Sequence, residues 1–250
     1  MRRWTRSAGI ALFWLAVWQI AASAVQRVLQ NSFVLVGPIP ALQALLAHLP
    51  TAAFWLAVGR SFVHILAGFL AAFAIGVLLG ALAYRVPLLG EVLAPIVTLT
   101  KAVPVVSFVI LALIWIGSAR LSVLVSFLIV FPVLYSNTLA GFRSTDSKLL
   151  EMAQVFRVPW VQQLWQIYRP AVLPYLISGC RAALGMSWKA GIAAELIGVP
   201  AGTIGEQLYL AKIYLSTAEL FAWTFVIVVL SVLFERAFLA LLRLTGRCTP

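Results

Sequence analysis

Three ionisable residues stand where charge is costly. Arg181, Lys189 and Glu195 lie within the apolar run AVLPYLISGCRAALGMSWKAGIAAELIG. A charged side chain inside a bilayer is kept for a solute route or for pairing that holds helices together. Lys189 and Glu195 sit six positions apart, about 120° apart round a helix and too far for a direct pair. They must face another helix, a second subunit or water. Ser187, Trp188, Lys189 and Glu195 are therefore candidates for lining a translocation pathway, where a lysine favours an anionic or polar solute. The competing reading is structural: Lys189 pairs with a carboxylate or a carbonyl, and Arg181 and Glu195, nearer the ends of the run, hold the packing.

A second polar stretch, EMAQVFRVPWVQQLWQIYRP at 151–170, interrupts the apolar chain. Asp146 or Ser147 can cap a helix by satisfying a free backbone N–H. Leu149, Met152, Ala153 and Phe156 then recur at helical spacing on one face. Val158-Pro159 ends that helix, because the residue before proline avoids the helical region, and Pro159 suits the first position of a new one. Trp160, Leu164, Trp165 and Tyr168 share a side of the second helix, and Arg169-Pro170 is expected to break the chain again. Two short amphipathic helices at a proline corner suit a loop on lipid headgroups, and they suit equally a docking element for a partner.

No catalytic set accompanies these residues. His48 and His64 have no Cys, Asp or Glu at metal-ligand spacing, and no Gly-Lys-Ser/Thr of a phosphate-binding loop occurs. The sequence predicts neither an enzyme nor a cofactor or metal site in this chain.

The elements that must hold these residues are membrane helices. The 250 residues are 63% hydrophobic and 10% charged, with a mean hydropathy of +1.05, whereas soluble domains carry about a quarter charged residues. The formal net charge of +11 is explained by the positive-inside bias and anionic lipid rather than by nucleic acid. Cys180 and Cys248 offer neither a disulfide framework nor metal spacing. The basic start followed by AGIALFWLAVWQIAASAV resembles a signal peptide, but its length favours an uncleaved first span.

A single transmembrane domain over 1–250 is expected, with six spans near 8–25, 57–84, 105–116, 121–139, 171–197 and 220–242. Gly-Pro-Ile-Pro at 37–40 marks a turn. It precedes an interfacial helix striped by Leu42, Leu45, Leu46 and Leu49. Gly68, Gly76 and Gly80 permit close packing of the second span. A short helix and a turn are expected over Pro87–Val103, Pro132 is a kink position in span four, and a helix is expected at Glu206–Leu215. Arg2, Arg3, Arg6, Arg85, Lys101, Arg143, Lys148, Arg157, Arg169, Arg243 and Arg247 fall on one side. Arg27, Arg60, Arg120 and Lys212 fall on the other. That asymmetry puts both termini and the 143–169 insertion in the cytoplasm.

The insertion resembles the cytoplasmic signature of the permease subunits of binding-protein-dependent ABC importers: Glu-Ala-Ala, three residues, Gly, nine residues, Ile, one residue, Leu-Pro. Glu151, Ala153, Ile167 and Pro170 match, while Met152, Arg157 and Arg169 depart. FPVLYSNTLAGFRSTDSKLLEMA, AVLPYLISGCRAALGMSWKAGIAAELIG, VGPIPALQALL and GFLAAFAIGVLLGAL are similar to the nitrate/sulfonate/taurine-type branch, over most of 35–200.

The resemblance implies an all-α, six-helix permease of the MetI-like type in a bacterial plasma membrane. It also implies partners: two ABC ATPase subunits that bind ATP and Mg, an external solute-binding protein, and a second permease copy forming a homodimer. Glu151, Ala153, Phe156, Arg157, Pro159, Trp160, Ile167 and Pro170 would form the ATPase-coupling segment, with Pro159 supplying the corner in place of the family's glycine. The solute would be small and polar or anionic, such as nitrate, a sulfonate or taurine. A vitamin precursor of the thiamin-pyrimidine type stays open within the family. A secondary transporter or a multi-pass membrane enzyme stays open outside it.

Overall fold

The computed structural model describes residues 2–29 and 35–246. Arg247, Cys248 and the side chains of Arg2, Arg3 and Arg6 lie outside the described residues. In chain order the helices are α1 (Arg2–Leu29), α2 (Pro38–His48), α3 (Ala52–Arg85), α4 (Pro87–Ala102), α5 (Val105–Ile116), α6 (Leu121–Arg143), α7 (Ser147–Val155), α8 (Trp160–Gln163), α9 (Arg169–Gly198), α10 (Ile204–Ile213) and α11 (Thr217–Gly246). No strand occurs among the described residues; the long apolar runs are helical, so their interior backbone polar groups pair within their own helices, as a bilayer favours.

The core is a layer of α3, α6 and α9, with α6 in the middle and packed most extensively against both neighbours. Small residues set that spacing. A Cβ added at Gly76 would stand 3.1 Å from the Leu134 Cβ, and one added at Gly80 would stand 2.8 Å from the Thr138 Cβ. At Gly68 an added Cβ would collide with the Val123 carbonyl oxygen. The glycine stripe of α3 thus lies along α6, which is the close packing those glycines predict, with its partner helix now identified. On the other flank, rings from α3, α9 and α11 interlock: Phe69 meets Phe238 at 4.9 Å and Phe62 meets Phe234 at 5.6 Å, both edge-on. Edge-to-face pairs add to the area buried.

Helices α3, α6 and α11 are each long and apolar enough to cross a membrane. Helix α9, with 30 residues, is long enough but carries Arg169, Arg181, Lys189 and Glu195. It runs antiparallel to α6 along its length, with Gly141 against Val172 at one end and Ser122 bonded to Glu195 at the other, so it traverses the same thickness.

The span expected near 105–116 is helical over Val105–Ile116, and that helix alone is short for a membrane. Helix α5 has 12 residues, about 18 Å at 1.5 Å per residue, against an apolar thickness of about 30 Å. Helix α4 has 16 residues and joins α5 at a bend of 104°. Pro104 lacks the N–H that would continue α4 and drives Val103 out of helical geometry (ψ 127°). The pair forms one broken span or a re-entrant hairpin.

Two further expectations change. The leucine stripe of α2 splits: Leu45 and Leu49 pack on the core while Leu42 and Leu46 are exposed. The helix expected at Glu206–Leu215 begins earlier, at Ile204, where the Thr203 hydroxyl accepts from the Glu206 N–H.

Candidate functional site

The 143–169 insertion folds as an elbow at one end of the bundle. Asp146 caps α7, its carboxylate accepting from the Lys148 N–H at 2.9 Å. Helix α7 ends in a Schellman motif. The Val158 N–H reaches the Ala153 carbonyl at 2.8 Å, and the Arg157 N–H reaches the Gln154 carbonyl at 3.1 Å. That motif needs a left-handed residue, and Arg157 supplies it with φ 50°. The chain therefore turns at Arg157, at the glycine position of the signature, and Pro159 follows as the N-cap of α8 rather than making the corner.

The expected break at Arg169-Pro170 is absent. From Trp160 to Gly198 the chain stays helical, passing through a π-turn at Leu164–Tyr168. Proline removes an N–H and its ring clashes with the carbonyl four residues back. One extra residue in the preceding turn, with the Arg169 N–H donating to the Leu164 carbonyl, lets Pro170 enter without breaking the helix.

The elbow is clamped to the ends of α3 and α6. Tyr168, 5% exposed, sits among Tyr84, Phe142 and Trp160 at ring distances of 5.8, 5.5 and 5.4 Å. The Arg85 guanidinium covers the Trp160 ring at 4.1 Å. Burial, then a hydrogen bond with Tyr84, pushes the Tyr168 phenol up to about 12.

Only part of the α7 stripe faces in. Ala153 is buried and Leu150 packs on the Phe142–Tyr168–Val172 cluster. Leu149, Glu151, Met152, Val155 and Phe156 are exposed, with Phe156 at 74%. The docked side of α7 is thus Leu150 and Ala153, while its larger apolar side chains point away from the bundle. Arg157, Pro159, Trp160 and Pro170 are exposed as well, and Ile167 is half-buried.

The candidates on α9 separate by helical phase. Ser187 is buried, its hydroxyl donating to the Leu184 carbonyl at 2.9 Å and its carbonyl accepting from Ser126 at 3.3 Å. Trp188 is buried between Phe62 and Phe234. Lys189 is exposed, together with Ala182, Met186, Ala193 and Ile197 on the same face. Ser187, Trp188 and Glu195 therefore do not share an open face with Lys189, since neighbours in a helix diverge by about 100°.

Glu195 instead closes a buried polar knot near the α10 end of the bundle. Its carboxylate accepts from the Ser61 hydroxyl of α3 at 2.6 Å, the Ser122 hydroxyl of α6 at 3.3 Å and the Gly205 N–H of α10 at 3.3 Å. His64 Nδ1 stands 3.8 Å from the same carboxylate. The Ser61 hydroxyl in turn accepts from the Ile204 N–H at 2.9 Å. A side chain at Gly205 would collide with the backbone of Glu195, 2.5 Å from its carbonyl carbon. A carboxylate beside the first N–H groups of a helix is favourably placed, so this knot fixes the start of α10 on α3, α6 and α9. Sequence reasoning missed Ser61 and Ser122, and considered His64 as a metal ligand and as an interfacial residue but not beside Glu195. Their only signal is that they are polar residues inside otherwise apolar helices.

Known transport permeases resemble this chain in sequence. The chain is 29% identical to the taurine transport system permease protein TauC of Escherichia coli (strain K12), over all of this chain and 90% of that one. It is 33% identical to the putative aliphatic sulfonates transport permease protein SsuC of Bacillus subtilis (strain 168), over 62% of this chain and 56% of that one. It is 27% identical to the nitrate import permease protein NrtB of a Synechocystis strain, over 63% and 56%. Residues 72–245, which include α6, the elbow and α9, match the family described as the binding-protein-dependent transport system inner membrane component. The chain belongs to that family of ABC importer permeases, in the branch that includes the taurine, sulfonate and nitrate permeases.

Proposed function

We propose that this chain forms the solute pathway of an ATP-driven importer and couples it to a cytoplasmic ATPase through the α7–α8 elbow. The observation that carries this reading is the elbow's construction. Ala153, Leu150 and Tyr168 lock it to the bundle, while Val155 (79% exposed) and Phe156 are presented outward on a short, capped helix. An apolar helix face held rigidly and left uncovered suits insertion into a groove on a partner. Closure of an ATPase pair against that face would move α6 and α9 together, because both enter the elbow directly. ATP and Mg belong to the partner, and this chain serves as mechanical receiver and conduit. The asymmetry of Lys and Arg supports a cytoplasmic location for the elbow and both termini.

The pathway is assigned to the open face of α9, between two copies of the chain. Lys189 is exposed there and has no hydrogen-bond or ion-pair partner among the described residues. An unpaired ammonium at that depth belongs against water or a second subunit rather than lipid, and it supports a small anionic solute of the nitrate, sulfonate or taurine kind. An external solute-binding protein delivers that solute at the α10 end.

Co-purification tests the coupling. The full-length permease, expressed with its cognate P-loop ATPase, should retain that ATPase, and Glu151→Arg should release it. An ATPase retained equally by both proteins, or by neither, would sink the reading.

A further inference from the structure

Three arginines line one cleft between α9 and α11, at the elbow end of the bundle. The cleft encloses about 630 Å³ and is walled by Arg169, Arg181 and Arg243, with Leu173, Pro174 and Ile177 along its length. Arg181 has one acidic neighbour, Glu235, at 3.9 Å. The Arg169 guanidinium lies over the Trp165 ring at 4.4 Å. Arg243 has no hydrogen-bond or ion-pair partner among the described residues. Three cations against one carboxylate leave the cleft with excess positive charge.

The shape of the wall restricts the occupant. Arg169 and Arg181 are twelve positions apart on α9, a rise of about 18 Å. That exceeds half of an apolar thickness of about 30 Å. Arginines whose backbones sit within the apolar zone extend their heads toward the interface along apolar stems. A free anion would meet the guanidinium groups but leave the apolar wall uncovered. A protein acid would not follow that wall into hydrocarbon. An anionic head joined to an acyl chain meets both.

We propose that this cleft is a binding site for an anionic phospholipid. Its phosphate is held by Arg243 and Arg169 with Arg181 above, and one chain lies along Leu173, Pro174 and Ile177. Basic pockets between transmembrane helices are suited to such headgroups.

The test is native mass spectrometry of the permease–ATPase complex released from nanodiscs of phosphatidylglycerol and phosphatidylcholine in equal parts. The wild type should retain phosphatidylglycerol at least about tenfold over zwitterionic phosphatidylcholine, as for two or more cationic side chains acting on the net negative charge that phosphatidylcholine lacks. Arg243→Gln should weaken retention about fivefold, as for one interfacial charge, and Arg243→Lys should restore most of it. Equal retention of the two lipids by the wild type would overturn the proposal without reliance on any variant. So would unchanged retention in both Arg243→Gln and the Arg181→Gln/Arg243→Gln double variant. Displacement of the lipid by millimolar inorganic phosphate would assign the site to a free oxyanion and also overturn it.

Discussion

Ser61 on α3 donates a 2.6 Å hydrogen bond to Glu195 on α9, across 134 positions of sequence and inside a fully buried setting. That bond and its neighbours connect four helices through one carboxylate. Removing the carboxylate leaves the Ser61 and Ser122 hydroxyls and the Gly205 N–H without an acceptor. Each such group costs about 1–3 kcal/mol. Glu195→Ala should therefore destabilise the permease by about 3 kcal/mol or more, while Glu195→Gln, which keeps one acceptor oxygen, should cost less. Thermal unfolding in detergent reads the order. Equal midpoints for wild type and Glu195→Ala would refute the knot's contribution.

Arg157 holds a left-handed conformation (φ 50°) at the C′ position of α7. A side chain there costs about 1–2 kcal/mol that glycine avoids. Arg157→Gly should raise the thermal midpoint and retain the ATPase. A lower midpoint would show that Arg157 contributes contacts outweighing the strain.

The Tyr168 phenol, raised by burial to about 12, carries a pH signature. The unfolded phenol ionises near 10, so between pH 10 and 12 the folded state binds more protons than the unfolded one. Stability tied to Tyr168 is then fully present below pH 10 and declines as pH rises toward 12. Tyr168→Phe should flatten that alkaline decline, read from unfolding midpoints between pH 9 and 11.5. An identical slope in the two proteins would contradict the buried placement.

Lys189 faces outward on α9. If this face lines a wet pathway as proposed, then in a Cys248→Ser background Lys189→Cys should react with a membrane-impermeant charged thiol reagent in the assembled complex. Buried Cys180 should stay silent. Labelling no faster at Lys189→Cys than in the Cys248→Ser parent would place this face against lipid or in a dry interface.

Much of this architecture is legible in the sequence, and the reasons for the exceptions are physical. Long apolar runs and the α3 glycines announce helices that must pack closely, and the Asp146 cap and the elbow are marked by side chains acting on their own neighbours. Pro104 and Pro170 are the instructive pair. Both look like breaks, yet Pro104 produces a 104° bend while Pro170 is absorbed by a π-turn. Local sequence does not encode whether an added residue can widen the previous turn. Arg157 hid the true corner because an arginine seldom adopts φ > 0. The Glu195 knot was hidden for a different reason. Its acceptor and donors come from four helices, so no spacing in the chain brings them together. Among the α9 candidates, proximity in sequence grouped Ser187, Trp188 and Lys189, and helical phase separated them.

The coupling account is tested most directly by photo-crosslinking at Phe156 in native membranes. With a benzoyl-phenylalanine at 156, irradiation should yield one major adduct whose partner peptides come from a P-loop ATPase, and the same probe at Tyr175 should not. Crosslinks to lipid alone at 156, or to the ATPase at both positions alike, would contradict the elbow as the site of coupling.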